Sequence, residues 1–297
     1  MSGGGAVPGG RGSVVVTGAG GRLAAALVPA LEGDGWRVHP ATRSELDLED
    51  PAAPARVLDA ARPDVVVNLA AWTDVDACEA DEARAHAINA TGVGHLRRAA
   101  GAVDAHLVHV STDYVFDGGA DEPCDEAVAP RPINAYGRSK LAGEVAAGPD
   151  ASIVRVAWVS GAHGRSLVRT AVDAALGRSA EATFVTDRWG SPSRADDVAA
   201  VLARVVDRRP GGVLHVANAG EATPYELACA AAELAGGEPG RIVPASSTDH
   251  VRAGRAPRPR RSALRSSRLG PELGVQMRGW REALADLVPQ LVDEGGR

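Results

Sequence analysis

Five consecutive residues, Tyr136-Gly137-Arg138-Ser139-Lys140, set a phenol and an ammonium four positions apart. On a helix that spacing puts both side chains on one face. A phenol with its ordinary pKa near 10 is a poor acid–base group, and a neighbouring ammonium favours the phenolate and lowers that value. Tyr136 would then pass its proton to a carbonyl oxygen as hydride arrives at the carbon, and Lys140 would also bond the ribose of a nicotinamide. Upstream, Ser111-Thr112-Asp113 closes an apolar run. A hydroxyl there could bond the same carbonyl oxygen and complete an oxyanion-type site. A lone Y-x-x-x-K is common by chance. The bland alternatives are a surface Tyr–Lys pair and a strand-end cap, so the surroundings must decide.

Near the start, Thr17-Gly18-Ala19-Gly20-Gly21-Arg22-Leu23-Ala24 follows a Val-rich run. In this G-x-x-G-x-x-A pattern Gly18 makes a tight turn, Gly21 lets a pyrophosphate approach the backbone, and Ala24 allows close helix packing. The phosphates would face the positive end of the following helix. Sites that prefer NAD usually carry a carboxylate about 20 residues on, at the tip of the second strand. Ala41-Thr42-Arg43-Ser44 has none there, and Arg43 could meet a 2′-phosphate instead. This favours NADPH, with NADH as the alternative. Asp47 lies further on, where it could touch adenine. In Asn68-Leu69-Ala70-Ala71-Trp72-Thr73, small residues at the carboxyl end of a third strand would let a cofactor lie across it.

The elements that must position these groups alternate. Strands are expected at 14–17, 36–41, 64–69, 106–110 and 152–159, with helices at 22–31, 51–61, 79–100 and 135–147. Such alternation implies right-handed βαβ crossovers and a parallel sheet covered on both faces. The fold class is α/β, a Rossmann-type doubly wound parallel sheet with a smaller C-terminal substrate-binding lobe. The second half is less regular, with helices at 166–176, 194–207, 225–235 and 280–288 and strands at 183–186 and 213–217. The division reads as a flexible Gly-rich tail at 1–12, a dinucleotide domain at 13–165, and a lobe at 166–297 interleaved with the last sheet strands.

The 297 residues are 45% hydrophobic but only 3% aromatic, so Val, Leu and Ala must build the core. The net charge of -6 argues against a general nucleic-acid binder. No apolar run reaches the roughly 18 residues of a membrane span, and the start lacks the apolar stretch of a signal peptide. Cys78, Cys124 and Cys229 are widely separated, without metal-finger spacing, which fits a reducing cytoplasm. A helical face could make a homodimer; oligomeric state is otherwise open.

Together these stretches resemble the extended short-chain dehydrogenase/reductases, and among them the dTDP-4-dehydrorhamnose reductase family. The specific part is Ser111-Thr112-Asp113-Tyr114-Val115-Phe116-Asp117-Gly118 followed by Tyr136-Gly137-Arg138-Ser139-Lys140-Leu141-Ala142-Gly143-Glu144, at their mutual spacing. Residues 43–48, 68–76 and 155–159 match as well, and so do Arg258-Pro259 and Trp280-Arg281. The resemblance implies NAD(P)H-dependent reduction of the 4-keto group of dTDP-4-dehydro-6-deoxy-L-mannose. It makes Thr112, Tyr136 and Lys140 the catalytic set. It puts Ser111, Thr112 and Asp113 beside the sugar and Trp158 over it. Gly18, Gly21, Arg22, Leu23, Arg43, Asp47, Leu48, Ala70, Ala71 and Trp72 would line the cofactor. Some members use a divalent metal, so Mg2+ enters by resemblance only; no cluster in the sequence requires one.

The departures cluster on the substrate side. Ser160-Gly161 stands where the family usually has Tyr-Gly, and Gly190-Ser191-Pro192-Ser193 where it has Gly-x-Pro-Thr. The stretch 252–265 is rich in arginine, which could clamp a diphosphate or form a solvated loop. Two alternatives stand beside the reading: a 4-ketoreductase for another dTDP-deoxysugar of secondary metabolism, and a non-catalytic dinucleotide-binding regulatory subunit. Dehydration is disfavoured, because Thr112-Asp113 is followed by Tyr114 and not by a second acid.

Overall fold

The computed structural model describes residues 11–248 and 255–294. Most of the expected tail, and Arg252 of the arginine-rich stretch, lie outside them. Six strands form one fully parallel sheet: β1 (Ser13–Thr17), β2 (Arg37–Ala41), β3 (Val65–Asn68), β4 (His106–Thr112), β5 (Ser152–Val156) and β9 (Gly212–Val216), in the order β2-β1-β3-β4-β5-β9. β1 and β3 are buried almost throughout, as strands covered on both faces must be.

Alternate residues feed two cores, because successive side chains point to opposite faces. Val14, Val16, Val65 and Val67 pack against α1 (Arg22–Gly33) and α8 (Ala195–Arg208) through Leu27, Leu31, Val198 and Leu202. Val15, Val66, Leu107 and Ile153 pack on the other face against α2 (Ala53–Ala61) and α5 (Gly92–Ala102). α6 (Ala135–Ala147) joins that side through Ala147. This bears out the Rossmann-type doubly wound α/β fold. A third core gathers α7 (Leu167–Ala175), α9 (Pro224–Leu234) and α10 (Trp280–Glu294) around β7 (Ala182–Val185) and β10 (Ile242–Ala245), which pair in parallel. The described residues from 166 onward therefore do two jobs. They build this third core, and they send α8 and β9 back to the sheet.

Two expected elements are broken where the site needs them broken. The strand expected at 152–159 ends at Val156; Trp158 takes a left-handed backbone (φ 41°), and a two-residue strand, β6 (Val159–Ser160), resumes beyond it, paired in parallel with β8 (Ser193–Arg194). A β-branched run favours a strand, but the turn at Trp158 aims its ring out of the sheet. The single helix expected at 79–100 is four pieces: α3 (Val75–Ala80), α4 (Glu82–His86), a π-helical turn (Ala87–Thr91) and α5. Periodicity cannot register a π turn, whose extra residue shifts the buried face without changing the composition. Strand β10 was not expected: Pro244 lies inside it, which marks an edge position.

Candidate active site

After β1 the chain leaves to one side for β2, then crosses back for β3 on the other side. The loops following β1 and β3 therefore part, and ligands bind at such a switch point. A cavity of about 680 Å3 opens there. Gly18 has φ +66°, and a Cβ on it would lie 2.8 Å from the Ala70 nitrogen, so only glycine lets the two loops pass. α1 begins at Arg22 with Gly21 as its cap, leaving its first N–H groups without a side-chain acceptor. Of the residues assigned to the cofactor, Gly18, Gly21, Arg22, Leu23, Arg43, Asp47, Leu48, Ala70, Ala71 and Trp72 all line this cavity. Arg22 also reaches out of it: Nη1 donates to the Val159 carbonyl at 2.9 Å and Nε to that of His163 at 3.3 Å.

At the far rim Arg43 donates to Asp47 (3.2 Å) and to Glu49 (2.5 Å), and Arg84 donates to the same Glu49 at 3.3 Å. Arg84 lies 5.1 Å over the Trp72 ring. The Trp72 backbone is gripped by Asn89 of the π turn, whose Oδ1 accepts from Trp72 N (2.8 Å) while Nδ2 donates to Trp72 O (3.0 Å) and to Ser139 Oγ (3.0 Å). The π turn thus ties the cavity wall at Trp72 to α6. Sequence reasoning missed Asn89, Glu49 and Arg84, because nothing local marks residues whose partners lie as far as 50 positions away.

The other end of the cavity is lined by Ser111, Thr112, Asp113, Tyr136, Lys140 and Trp158. Tyr136 and Lys140 face it from α6, whose first turn is capped by Asn134, which accepts from Gly137 N at 2.7 Å. The Tyr136 hydroxyl faces Thr112. Thr112 Oγ1 donates to Asp113 Oδ1 at 3.0 Å, and Ser262 Oγ donates to Asp113 Oδ2. Ser111 Oγ is buried without a partner among the described residues. The Tyr114 and Tyr136 rings meet edge to face at 5.8 Å.

The electrostatics correct one expectation. Burial pushes the Tyr136 phenol above its ordinary value, and Lys140 does not offset it. Lys140 Nζ is turned inward, donating to the Val110 carbonyl at 2.7 Å and meeting His109 Nε2 at 3.3 Å. Burial in turn brings Lys140 down to about 8, against a smaller opposing pull from Glu144. Burial raises Asp113 to about 6, despite the hydroxyls of Ser262 and Thr112 bonded to it. Tyr136 in the free protein is therefore a neutral phenol, the form that can give a proton.

A second cavity of about 500 Å3 shares Arg22, Thr73, Trp158 and Val159 with the first. Arg188, Arg255 and Arg258 line it with Tyr114. The arginine-rich stretch divides here. Arg255 and Arg258 face the cavity, with Arg258 also donating to Asp76. Arg260 and Arg261 lie against the Trp189 ring, and Arg265 pairs with Asp125. Arg188 was not foreseen; it lies 64 residues before the segment that carried the signal. Trp158 stands where the cavities meet, packed so closely that a Cβ on Gly190 would fall 2.4 Å from its indole. Among the described residues, no group of three or more His, Cys, Asp or Glu comes together to hold a metal ion.

A family model described as the RmlD substrate binding domain matches residues 12–292. A dTDP-4-dehydrorhamnose reductase of Mycolicibacterium smegmatis is 42% identical over 285 residues, covering 94% of this chain and 86% of its own. The chain belongs to the dTDP-4-dehydrorhamnose reductase family. A dTDP-4-keto-6-deoxy-D-glucose reductase of Streptomyces niveus is 39% identical, covering 93% of this chain and 96% of its own. The solved structure of a dTDP-4-dehydrorhamnose reductase from Bacillus anthracis in complex with NADP superimposes with a TM-score of 0.88 at 30% identity, covering 96% of this chain and all of that one. Membership in the reductase family makes this chain an oxidoreductase, and the family resemblance drawn from the motifs is borne out. No helix among the described residues is long and apolar enough to cross a membrane.

Proposed function

We propose that the chain reduces the 4-keto group of dTDP-4-dehydro-L-rhamnose with NADPH to give dTDP-L-rhamnose. The observation that carries this reading is the meeting of the Tyr136 and Thr112 hydroxyls above the buried Lys140, where a dinucleotide-sized cleft joins an arginine-lined cavity. The cleft fits the cofactor: Gly18 and Gly21 leave room for its pyrophosphate at the start of α1, and Arg43 with Thr42 stands at the rim for a 2′-phosphate. Bound NADPH supplies the hydride.

The chain's own residues supply the rest. Tyr136 holds its proton until a keto oxygen reaches it and then gives it up as charge develops on that oxygen. Thr112 has one hydroxyl proton, and it is committed to Asp113. The uncommitted hydroxyl is that of Ser111, which donates to the same oxygen. Arg188, Arg255 and Arg258 meet the diphosphate, as planar, always-charged groups suit. Trp158 covers the sugar at the junction. Cys78, Cys124 and Cys229 are free thiols, in keeping with a cytoplasmic site of action.

A second reading, reduction of another dTDP-linked 4-keto-6-deoxy sugar, is favoured by Ser160-Gly161 on the substrate side and by the relative from Streptomyces niveus. Purified protein supplied with each 4-keto sugar and NADPH, followed by loss of NADPH absorbance and identification of the product, separates the two. Absence of turnover across the whole panel would overturn both.

A further inference from the structure

Behind Lys140, away from the cavity, a chain of buried polar side chains crosses the sheet. Thr17 Oγ1 donates to Asn68 Oδ1 at 2.6 Å, Asn68 Nδ2 meets His109 Nδ1 at 3.0 Å, and His109 Nε2 meets Lys140 Nζ at 3.3 Å. Asn68 and His109 are fully buried, and neither lines the cavity. The direction of every bond can be worked out from one end. A backbone N–H only donates, and Ala70 N donates to Asn68 Oδ1 at 3.2 Å. Asn68 therefore presents its NH2 to His109, and that NH2 donates to Nδ1. A neutral imidazole accepting at Nδ1 carries its proton on Nε2. Burial keeps His109 neutral, well below its ordinary value, with Lys140 pressing in the same direction. An N–H thus points at Nζ, and only a neutral amine can accept it; an ammonium has no lone pair.

We infer that Asn68 and His109 are positioning residues that fix the imidazole tautomer against Lys140 and hold Lys140 toward its amine form. Other charges bear on Lys140 as well. Glu144, one turn on along α6, favours the ammonium, but its carboxylate is spent on Arg155 of β5 at 2.9 and 2.7 Å. From the π turn against α6 come only neutral groups, chiefly Asn89. The one opposing N–H is that of His109 Nε2 on β4, and Asn68 of β3 acts only by setting it. An ordinary lysine keeps its proton throughout the physiological range. One held near the working pH can both hold and release it, which suits a group behind a proton-donating phenol. The inference rests on Tyr136 and Lys140 being the reacting pair, but its tests can be read without turnover.

The first test uses the unmodified full chain with 15N-labelled histidine. NMR should show His109 neutral and protonated at Nε2 between about pH 6 and 9. Protonation at Nδ1, or an imidazolium in that range, would overturn the inference. The second test changes the tautomer. In Asn68→Asp the carboxylate can still accept from Ala70 N and Thr17, and it also accepts from Nδ1–H, leaving Nε2 as an acceptor for an ammonium. The Lys140 midpoint, followed by the 13C shift of its ε carbon, should rise by about one pH unit or more. The corresponding limb of the kcat profile should move with it while KM for the sugar changes by less than about twofold. A bare carboxylate would also act through space, so the same change is made in a His109→Phe background. If the rise there is as large as with His109 present, the imidazole is not the relay and the inference falls.

Discussion

The residues proposed to react are individually simple, and burial gives them their character. Tyr136 has the proton a keto reduction consumes, and Tyr136→Phe removes it while keeping the ring packed on Tyr114. We expect kcat to fall by about 100-fold or more, the scale of a lost general acid, with sugar binding measured by KM nearly unchanged. Asp113 has an opposite lesson. Its carboxyl is raised from 3.8 to about 6 by burial, so the folded chain binds a proton there more tightly than the unfolded one. That contribution to stability is full below about pH 4 and is lost as pH rises through about 6; the loss is at most roughly 3 kcal/mol. Asp113→Asn should flatten this part of the profile, read from urea midpoints at pH values on either side of the window. A wild-type profile rising with pH across it would contradict the assignment. Tyr136, Lys140, Ser111, Thr112 and Asp113 were all legible in the sequence, because each sits in a short motif whose spacing carries its meaning. The protonation states were not, because they follow from neighbours such as Ser262, 149 positions from Asp113.

At the scale of elements, α6 is the part that must be placed correctly, and it is held by close contacts. A Cβ on Gly137 would lie 2.1 Å from the Tyr114 carbonyl, and one on Gly143 equally close to that of Asn89. These glycines let the helix lie directly on the loop after β4 and on the π turn. On its far side Glu144 and Arg155 form a two-point ion pair between side chains only 7% and 4% exposed. Glu144→Gln leaves the Arg155 charge buried with half its acceptor, which should cost about 3 kcal/mol or more in denaturant unfolding. A change under about 1 kcal/mol would mean that water reaches Arg155. The existence of α6 could be read from residues 135–147. Glycine is a poor helix former, and only the packing shows why nothing larger fits at Gly137 and Gly143.

At the scale of the molecule, two cavities meet at Trp158, one built by the sheet and the other bordered by residues 160–188 and 255–258. The proposed cofactor and sugar sites are therefore separable by mutation. Arg43→Ala should raise KM for NADPH several-fold more than KM for NADH, because only the former carries a 2′-phosphate. Equal effects would remove Arg43 from that role. Arg258→Met should raise KM for the nucleotide sugar about tenfold or more, the scale of one lost charge-assisted bond, with kcat nearly constant. A fall in kcat alone would point instead to the Asp76 contact as its purpose.

By itself the order of residues determined the parallel sheet, the glycine turn and the Tyr–Lys pair, since each has a signal along the chain: apolar runs alternating with helical stretches, a backbone turn, one helical period. Tertiary structure alone decided that Lys140 faces His109, that Asn89 binds Trp72, and that Arg188 joins Arg255 and Arg258. Those contacts join strands and loops far apart in the chain. Their energies come from burial and shared hydrogen bonds, which exist only once the layers have closed.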